Sequence, residues 1–177
     1  CIGCDFEADK QFDIYNCPEC GSNLDIIYNF EVVKKKFTKE SLKNDKRLTI
    51  FRYWESVRVQ VNLITKIKLD IGFTPVYKIA RLNDLLGIKS LYVKDDGRNP
   101  SGSFKDRASA IGILKAIEFN KEMRFSGLFG NPELSLACLC ASIGMKNIIF
   151  VPRTAPRPKV AQLILYGSQV IFVDGNY

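Results

Sequence analysis

The sequence contains no histidine among its 177 residues. Histidine most often carries protons near neutral pH, so a Ser-His-Asp or Cys-His mechanism is excluded within this chain. Proton transfer must use lysine, carboxylate, tyrosine, cysteine or cofactor groups. Long apolar runs are missing too, since no stretch approaches the roughly 20 residues that cross a bilayer, and the first residues do not resemble a signal peptide. We expect a cytoplasmic protein with no membrane partner.

Acidic residues are fewer than basic ones, 19 against 26, which leaves a net charge of +7. Such a surplus suits an anionic ligand or a nucleic acid, although a lysine-rich solvated surface is the simpler interpretation. Residues 51–54 (Phe-Arg-Tyr-Trp) form the only cluster that interleaves aromatic and basic side chains, as single-strand binding favours. A non-catalytic module that binds RNA, and also holds the zinc ion predicted below, is therefore an alternative. A steep salt dependence of RNA binding would support it. We predict no nucleic-acid partner.

Four of the six cysteines form two closely spaced pairs, Cys1 with Cys4 and Cys17 with Cys20. Two intervening residues let both sulfurs of a pair turn toward one point, and two such pairs supply the thiolates of a tetrahedral zinc site. The alternatives are disulfides, which are unusual in a cytosolic protein, and an iron–sulfur cluster. Because sulfur would fill all four positions, we predict a structural zinc ion rather than a catalytic one.

The rest of the chain alternates between predicted strands and helices. A helix is predicted over residues 30–42, and residues 48–69 are interpreted as a linker that packs on the main domain. Strands are then predicted over 90–94, 124–129, 147–151 and 169–173, with helices over 104–121, 132–143 and 157–166. Cys138 and Cys140 fall in the second of these helices and are predicted to be small buried residues.

Continuous apolar strands in such an alternation are typical of a parallel sheet covered by helices. The predicted fold is therefore α/β, with three parts. A zinc ribbon occupies residues 1–29, a helix and linker occupy 30–70, and an incomplete parallel three-layer αβα domain occupies 71–177.

The loop at residues 99–107 reads Asn-Pro-Ser-Gly-Ser-Phe-Lys-Asp-Arg and leads into the first long helix. Open α/β sheets bind ligands at the carboxyl ends of their strands, where this loop lies. Lys105 falls in the first turn of the helix, so the helix dipole and the neighbouring Arg107 both disfavour an added proton on its amine. An uncharged amine is a nucleophile suited to aldehydes. From the residues alone this is a hypothesis, since most lysines at helix starts are solvated.

Several segments together resemble the amino-terminal half of fold-type II pyridoxal-phosphate enzymes. Within that group the sequence is most similar to the threonine synthase family, some members of which carry a zinc ribbon. The segments that carry the resemblance are residues 52–54, 72–76 (Gly-Phe-Thr-Pro-Val), 91–96 (Leu-Tyr-Val-Lys-Asp-Asp), 99–107, 130–131 (Gly-Asn), 135–137 (Ser-Leu-Ala), 148–152 (Ile-Ile-Phe-Val-Pro) and 166–167 (Tyr-Gly).

The resemblance implies pyridoxal 5'-phosphate as the cofactor and threonine biosynthesis as the function. Lys105 would attach covalently to the cofactor, Phe104 would shape the wall beside it, and Asn131 would hydrogen-bond the ring oxygen of the cofactor. The family converts O-phosphohomoserine and water into threonine and phosphate, with the cofactor as electron sink and the lysine moving protons. The implied partner is a small phosphorylated amino acid, and a homodimer would be compatible with the full-length form.

Two features depart from the family pattern. Leu128 and Phe129 stand where small hydroxyl residues usually receive the substrate carboxylate, and residues 132–133 (Pro-Glu) follow the Gly-Asn pair where small residues are usual. The glycine-rich phosphate-binding loop of the family would lie beyond Tyr177, and both ends of the sequence look cut. We therefore expect a fragment that is inactive by itself and prone to aggregate.

Other enzymes with this fold and cofactor are alternatives, namely cysteate synthase, threonine dehydratase and a cysteine synthase relative. The zinc ribbon argues against the last two. Cysteate synthase also acts on a phosphorylated amino acid, so a comparison of O-phosphohomoserine with O-phosphoserine would separate it from threonine synthase. A degenerate, non-catalytic relative is a further alternative because of Leu128 and Phe129.

Overall fold

The computed structural model describes residues 1–8, 14–57, 59–126 and 130–175. After the cysteine-rich beginning come two short helices, α1 (Phe30–Lys36) and α2 (Lys39–Asn44). The prediction of one continuous helix over residues 30–42 was wrong. Thr38 has an extended backbone and caps the start of α2. Its hydroxyl accepts from the Ser41 N–H at 3.0 Å, and its N–H donates to the Ser41 hydroxyl at 2.9 Å. This reciprocal cap stabilises a new helix start and interrupts the first helix.

The segment predicted as a linker forms two 3₁₀ helices, Ile50–Ser56 and Val61–Lys66. Its apolar side chains are buried, with Phe51 and Ile67 only 3% and 7% exposed. They belong to a core cluster that also contains residues of the long helices described below. These apolar side chains therefore pack against the long helices.

Strands β1 (Val76–Lys78) and β2 (Tyr92–Lys94) flank helix α3 (Ala80–Leu86) and pair with each other. The pairing is antiparallel, with Val76 opposite Lys94. The strand predicted over residues 90–94 is thus present but is not part of the parallel sheet, which corrects its place in the fold. A third 3₁₀ helix, Asp96–Arg98, follows β2.

The main sheet contains β3 (Met123–Ser126), β4 (Lys146–Pro152) and β5 (Gln169–Val173), in that spatial order and all parallel. Helix α4 (Lys105–Glu118) precedes the sheet. The crossovers are α5 (Asn131–Ile143) and α6 (Arg157–Leu165). The α/β class with a parallel sheet is confirmed. Residues 127–129 of the strand predicted over 124–129 lie outside the described residues.

Helices cover one face of this sheet. Ile149 and Val151 of β4 are fully buried against Ala137 of α5 and Leu163 of α6. Side chains alternate between the two faces of a strand, and on the opposite face Ile148 and Phe150 of β4 are only partly buried. The described part of the chain therefore covers the two faces unequally.

A second core lies where α4 and α5 pack together. Ile113 and Leu114 of α4 and Leu139 of α5 have no exposed surface. Each such side chain contributes about 1.5–3 kcal/mol of burial energy, which fixes α4 firmly. In the described parts of the chain, no helix combines the length and the apolar character needed to cross a membrane.

Candidate active site and metal centre

The candidate catalytic lysine lies at the start of α4. Lys105 is the first residue of the helix, as the sequence predicted, and is half-buried. Its Nζ lies 4.8 Å from the centroid of the Phe104 ring, and Phe104 is 57% exposed. Among the described residues no carboxylate forms an ion pair with this amine. The amine therefore belongs to a residue at the positive end of a helix dipole and has no carboxylate partner among the described residues.

The loop before Lys105 is held by a buried carboxylate that the sequence analysis did not single out. Asp106 is fully buried, and Ser101 donates to it from its N–H at 2.8 Å and from its hydroxyl at 2.5 Å. The Lys105 N–H donates to the Ser103 hydroxyl at 3.2 Å. A Ser in the loop and an Asp in the first helical turn were the only sequence signal for this arrangement.

Arg107, which the sequence suggested as a cation acting on the Lys105 amine, instead forms an ion pair with Asp96. Its guanidinium donates to both carboxylate oxygens of Asp96, at 3.1 and 2.8 Å. Hydrogen bonds from Arg107, and then from Thr74, lower the pKa of Asp96 to about 2. The charge of Arg107 is thus largely compensated by Asp96.

Asn131 is the first residue of α5, and its side chain is exposed. Pro132 follows it in the first turn, where its missing N–H is tolerated. Glu133 is only 1% exposed, and its Oε2 lies 4.0 Å from the position that a Cβ on Gly130 would occupy. The start of α5 therefore carries a buried carboxylate. The predicted obstacles Leu128 and Phe129 lie outside the described residues.

The structure brings all four predicted metal ligands together. The sulfur atoms of Cys1, Cys4, Cys17 and Cys20 lie within 4.8 Å of one another. The Sγ atoms are 3.5 Å apart for Cys1 and Cys20 and 3.6 Å apart for Cys4 and Cys17. A tetrahedral zinc–thiolate site with bonds of about 2.3 Å has sulfur–sulfur edges of about 3.8 Å, whereas a disulfide bond is about 2.05 Å long. The donor set fits zinc and no disulfide is formed.

Hydrogen bonds from neighbouring residues reach two of these sulfurs. The Gly3 N–H donates to Cys1 Sγ at 3.3 Å. Hydrogen bonds from the hydroxyl and backbone of Ser22 lower the pKa of Cys20 to about 7, which favours the thiolate that binds metal. A Cβ on Gly3 would come within 2.3 Å of Ser22 Oγ, so only glycine fits there.

Cys138 and Cys140 lie apart from this cluster, in α5. Cys140 is fully buried, and burial raises the pKa of the half-buried Cys138. Both residues behave as small core residues, as predicted.

The sequence profile of a family described as pyridoxal-phosphate dependent enzyme matches residues 67–177. The chain belongs to this family. Threonine synthases are similar to this pyridoxal-phosphate family member over its full length, with 39% identity for Methanocaldococcus jannaschii and 34% for Methanosarcina acetivorans. The chain spans 43% and 42% of the length of these two relatives.

Solved structures of other proteins share the fold of part of this chain. A hydrogen sulfide-producing enzyme from Fusobacterium nucleatum is 28% identical with a TM-score of 0.52, over 64% of this chain and 37% of its own. A pyridoxal 5'-phosphate-dependent aspartate racemase is 27% identical with a TM-score of 0.55, over 67% of this chain and 39% of its own. This member of the pyridoxal-phosphate dependent enzyme family thus has the fold-type II architecture over its matched part, preceded by a four-cysteine cluster.

Proposed function

We propose that Lys105 attaches covalently to pyridoxal 5'-phosphate and that the whole protein is a threonine synthase. The reaction would convert O-phosphohomoserine and water into threonine and phosphate. The observation that carries the proposal is the half-buried lysine amine at the first residue of α4, free of ion pairs among the described residues. The two archaeal threonine synthases, similar along the entire chain, support the choice of reaction.

Each candidate residue has a distinct role in this proposal. The cofactor, when bound, supplies an electron sink for carbanions of the substrate. The Lys105 amine would hold the cofactor and then move protons at the substrate carbons, which needs no histidine. Phe104 would form the wall beside the amine, and the Asn131 amide would donate to the ring oxygen. The loop over residues 99–103 would fix the direction from which the amine approaches.

Reductive trapping tests the lysine. The protein is incubated with pyridoxal 5'-phosphate, reduced with borohydride and digested, and the labelled peptide is identified by mass spectrometry. We expect the label on Lys105 and its loss in Lys105→Ala. Lys39→Ala is the matched control, because Lys39 is also the first residue of a helix but is exposed. A label on another lysine, or none, would sink the proposal.

The second candidate function is an enzyme of the same fold and cofactor that acts on a different substrate. The buried Glu133 favours it. A carboxylate at the start of α5 would repel a substrate anion placed there. Cysteate synthase activity or a degenerate, non-catalytic relative are the corresponding alternatives. Turnover of O-phosphohomoserine but not O-phosphoserine by the full-length protein supports threonine synthase. The reverse preference supports cysteate synthase, and no turnover of either by a correctly labelled protein supports the degenerate relative.

The four-cysteine cluster is proposed to bind one structural zinc ion. Four sulfurs leave no position open for water, so the ion would stabilise the ribbon and take no part in chemistry. Among residues 1–8 and 14–29 of the ribbon, Cys17 is the buried one, at 3% exposure. Metal binding would therefore supply much of its folding energy.

The described residues also support the proposal that the 177 residues alone are inactive and poorly soluble. Tyr77 and Tyr92 of the β1–β2 pair are 48% and 57% exposed, and Leu85 of α3 is 77% exposed. Apolar surface of this kind is usually covered by further protein, either later segments or a second subunit of a homodimer. Size-exclusion chromatography with an activity assay tests this, and a soluble monomer that turns over O-phosphohomoserine would contradict it. We also propose the division of the chain into a zinc ribbon (1–29), a helix and linker (30–70) and an incomplete α/β domain (71–177).

A further inference from the structure

Asp106 and Ser101 form a buried pair beside the proposed catalytic lysine. Asp106 is the second residue of α4 and has no exposed surface. Burial of a carboxylate is costly unless its oxygens are hydrogen-bonded. Here Oδ2 accepts from the Ser101 N–H at 2.8 Å and Oδ1 accepts from the Ser101 hydroxyl at 2.5 Å. One loop residue thus satisfies both oxygens.

These hydrogen bonds close residues 101–106 into a ring that contains Lys105. Gly102 takes a left-handed φ of 76°, and the buried Ser103 accepts the Lys105 N–H at 3.2 Å. Helix α4 has no side-chain N-cap, since Phe104 occupies that position without a capping hydrogen bond. The carboxylate of Asp106 therefore fixes the start of α4 from inside its first turn, and the backbone of Lys105 is held from both sides.

Asp106 differs from the two aspartates that pair with arginine, because it is fully buried and its carboxylate has no cationic partner among the described residues. Asp45 and Asp96 each pair with an arginine, Arg47 and Arg107. Among the described residues, the hydrogen-bond donors to the Asp106 carboxylate are the neutral N–H and hydroxyl of Ser101. A serine or threonine cap would begin the helix without burying a carboxyl group. A buried carboxylate next to a reactive amine is typical of a functional site.

We infer that Asp106 and Ser101 are positioning residues that hold Lys105 where it can attach to the cofactor, an inference that rests on the proposed function. Reactive side chains need supporting residues whose own conformations are locked by hydrogen bonds. The pair does this without touching the cofactor, because both side chains are used on each other. Loss of the Asp106–Ser101 pair would leave the Lys105 amine present but no longer held in the orientation that reaches the cofactor.

The test measures how fast the full chain is labelled on Lys105 by pyridoxal 5'-phosphate and borohydride. We expect Asp106→Ala to slow labelling about tenfold, since losing a buried hydrogen-bonded partner changes an equilibrium by roughly one order of magnitude. Ser101→Ala keeps the backbone donor and should fall between Asp106→Ala and the wild type. Asp106→Asn should label near the wild-type rate, because the amide oxygen accepts from the Ser101 N–H while the amide N–H donates to the hydroxyl.

Asp45→Ala is the matched control, a hydrogen-bonded aspartate outside the site. It should lower the unfolding temperature without slowing labelling of the folded protein. If Asp106→Ala does not fold, the rate of Ser101→Ala decides. Labelling of Asp106→Ala and Ser101→Ala at the wild-type rate overturns the inference while the proposed function stands. Wild-type protein that is not labelled on Lys105 overturns both.

Discussion

Arg107 donates two hydrogen bonds to the carboxylate of Asp96, at 3.1 Å from Nε and 2.8 Å from Nη2. The hydroxyl of Thr74 donates to the same carboxylate at 2.5 Å. These contacts join α4 to the 3₁₀ helix after β2 and to the segment before β1. The pair therefore ties the helix that carries Lys105 to the β1–β2 unit.

The Arg107–Asp96 pair predicts a specific loss of stability in acid. The hydrogen bonds from Arg107 and Thr74 hold the pKa of Asp96 at about 2, below its ordinary value of 3.8. Because the folded-state pKa is depressed, the stabilisation is complete above about pH 4 and is lost as the pH falls toward 2. Asp96→Asn should lower the free energy of unfolding by on the order of 1–2 kcal/mol near pH 7, discounted for partial exposure.

Urea denaturation near neutral pH and near pH 3 measures this difference. The Asp96→Asn penalty should shrink at the lower pH, because the wild-type carboxylate is then partly protonated. Asp84→Asn is the control, since Asp84 is exposed on α3 and should show no penalty at either pH. A penalty that is equal at both pH values would contradict the role of the ion pair.

Gly72 allows the close approach of three segments. Its φ is +81°, and its N–H donates to Asn99 Oδ1 at 2.8 Å. A Cβ there would lie 2.5 Å from Ile50 Cγ2 and 2.8 Å from Arg107 Nη1. We expect Gly72→Ala to lower the free energy of unfolding by more than about 2 kcal/mol through strain and overpacking.

Gly112→Ala is the matched control for Gly72→Ala. Gly112 lies inside α4, and a Cβ there meets nothing within 4 Å. Alanine is favoured over glycine in a helix by roughly 0.8–1 kcal/mol, so this variant should unfold at a higher urea concentration than the wild type. Equal effects of the two substitutions would show that the packing around Gly72 has been misjudged.

The sequence predicted the parallel sheet from continuous apolar runs, and one of these runs forms a largely buried strand. The run over residues 147–151 became β4, whose Ile149 and Val151 are fully buried. The orientation of β2 was not predictable in this way. It depends on pairing with Val76–Lys78, a short exposed strand with no apolar pattern of its own.

The candidate site was predicted only in part for a similar reason. The place of Lys105 at a helix start follows from local sequence, because the loop ends where the helical pattern begins. The partners of Asp106 and Arg107 depend on side-chain hydrogen bonds across the loop and to Asp96. Such contacts leave no periodic signal in a sequence.

The break between α1 and α2 rests on Thr38, and its effect can be measured locally. Neither helix contains a buried residue, so capping is a large share of their stability. Thr38→Ala should cost about 1 kcal/mol and lower the hydrogen-exchange protection of α2 about fivefold. Thr65→Ala is the control, since its hydroxyl donates to Asn62 O at 3.3 Å in a 3₁₀ helix elsewhere. Unchanged protection in Thr38→Ala would mean that α1 and α2 are separated by another cause.

The proposed zinc site predicts that two buried or half-buried cysteines respond differently to the same substitution. Cys17 is 3% exposed and lies among the four clustered sulfurs, whereas Cys138 is half-buried in α5. Cys17→Ser should abolish tight zinc binding, because serine is not a thiolate ligand, whereas Cys138→Ser should keep about one zinc per chain.

Zinc content after dialysis, together with hydrogen exchange of the ribbon amides, measures both effects. Removal of zinc by a chelator should expose the ribbon amides of the wild type and of Cys138→Ser, while α4 and α5 stay protected by their own core. If Cys17→Ser retains zinc with protected ribbon amides, the cluster is not the metal centre. The close approach of the four sulfurs would then have to arise from the backbone hydrogen bonds of the ribbon alone, such as those from Cys17 to Ser22 at 2.7 Å and from Gly21 to Cys17 at 2.9 Å.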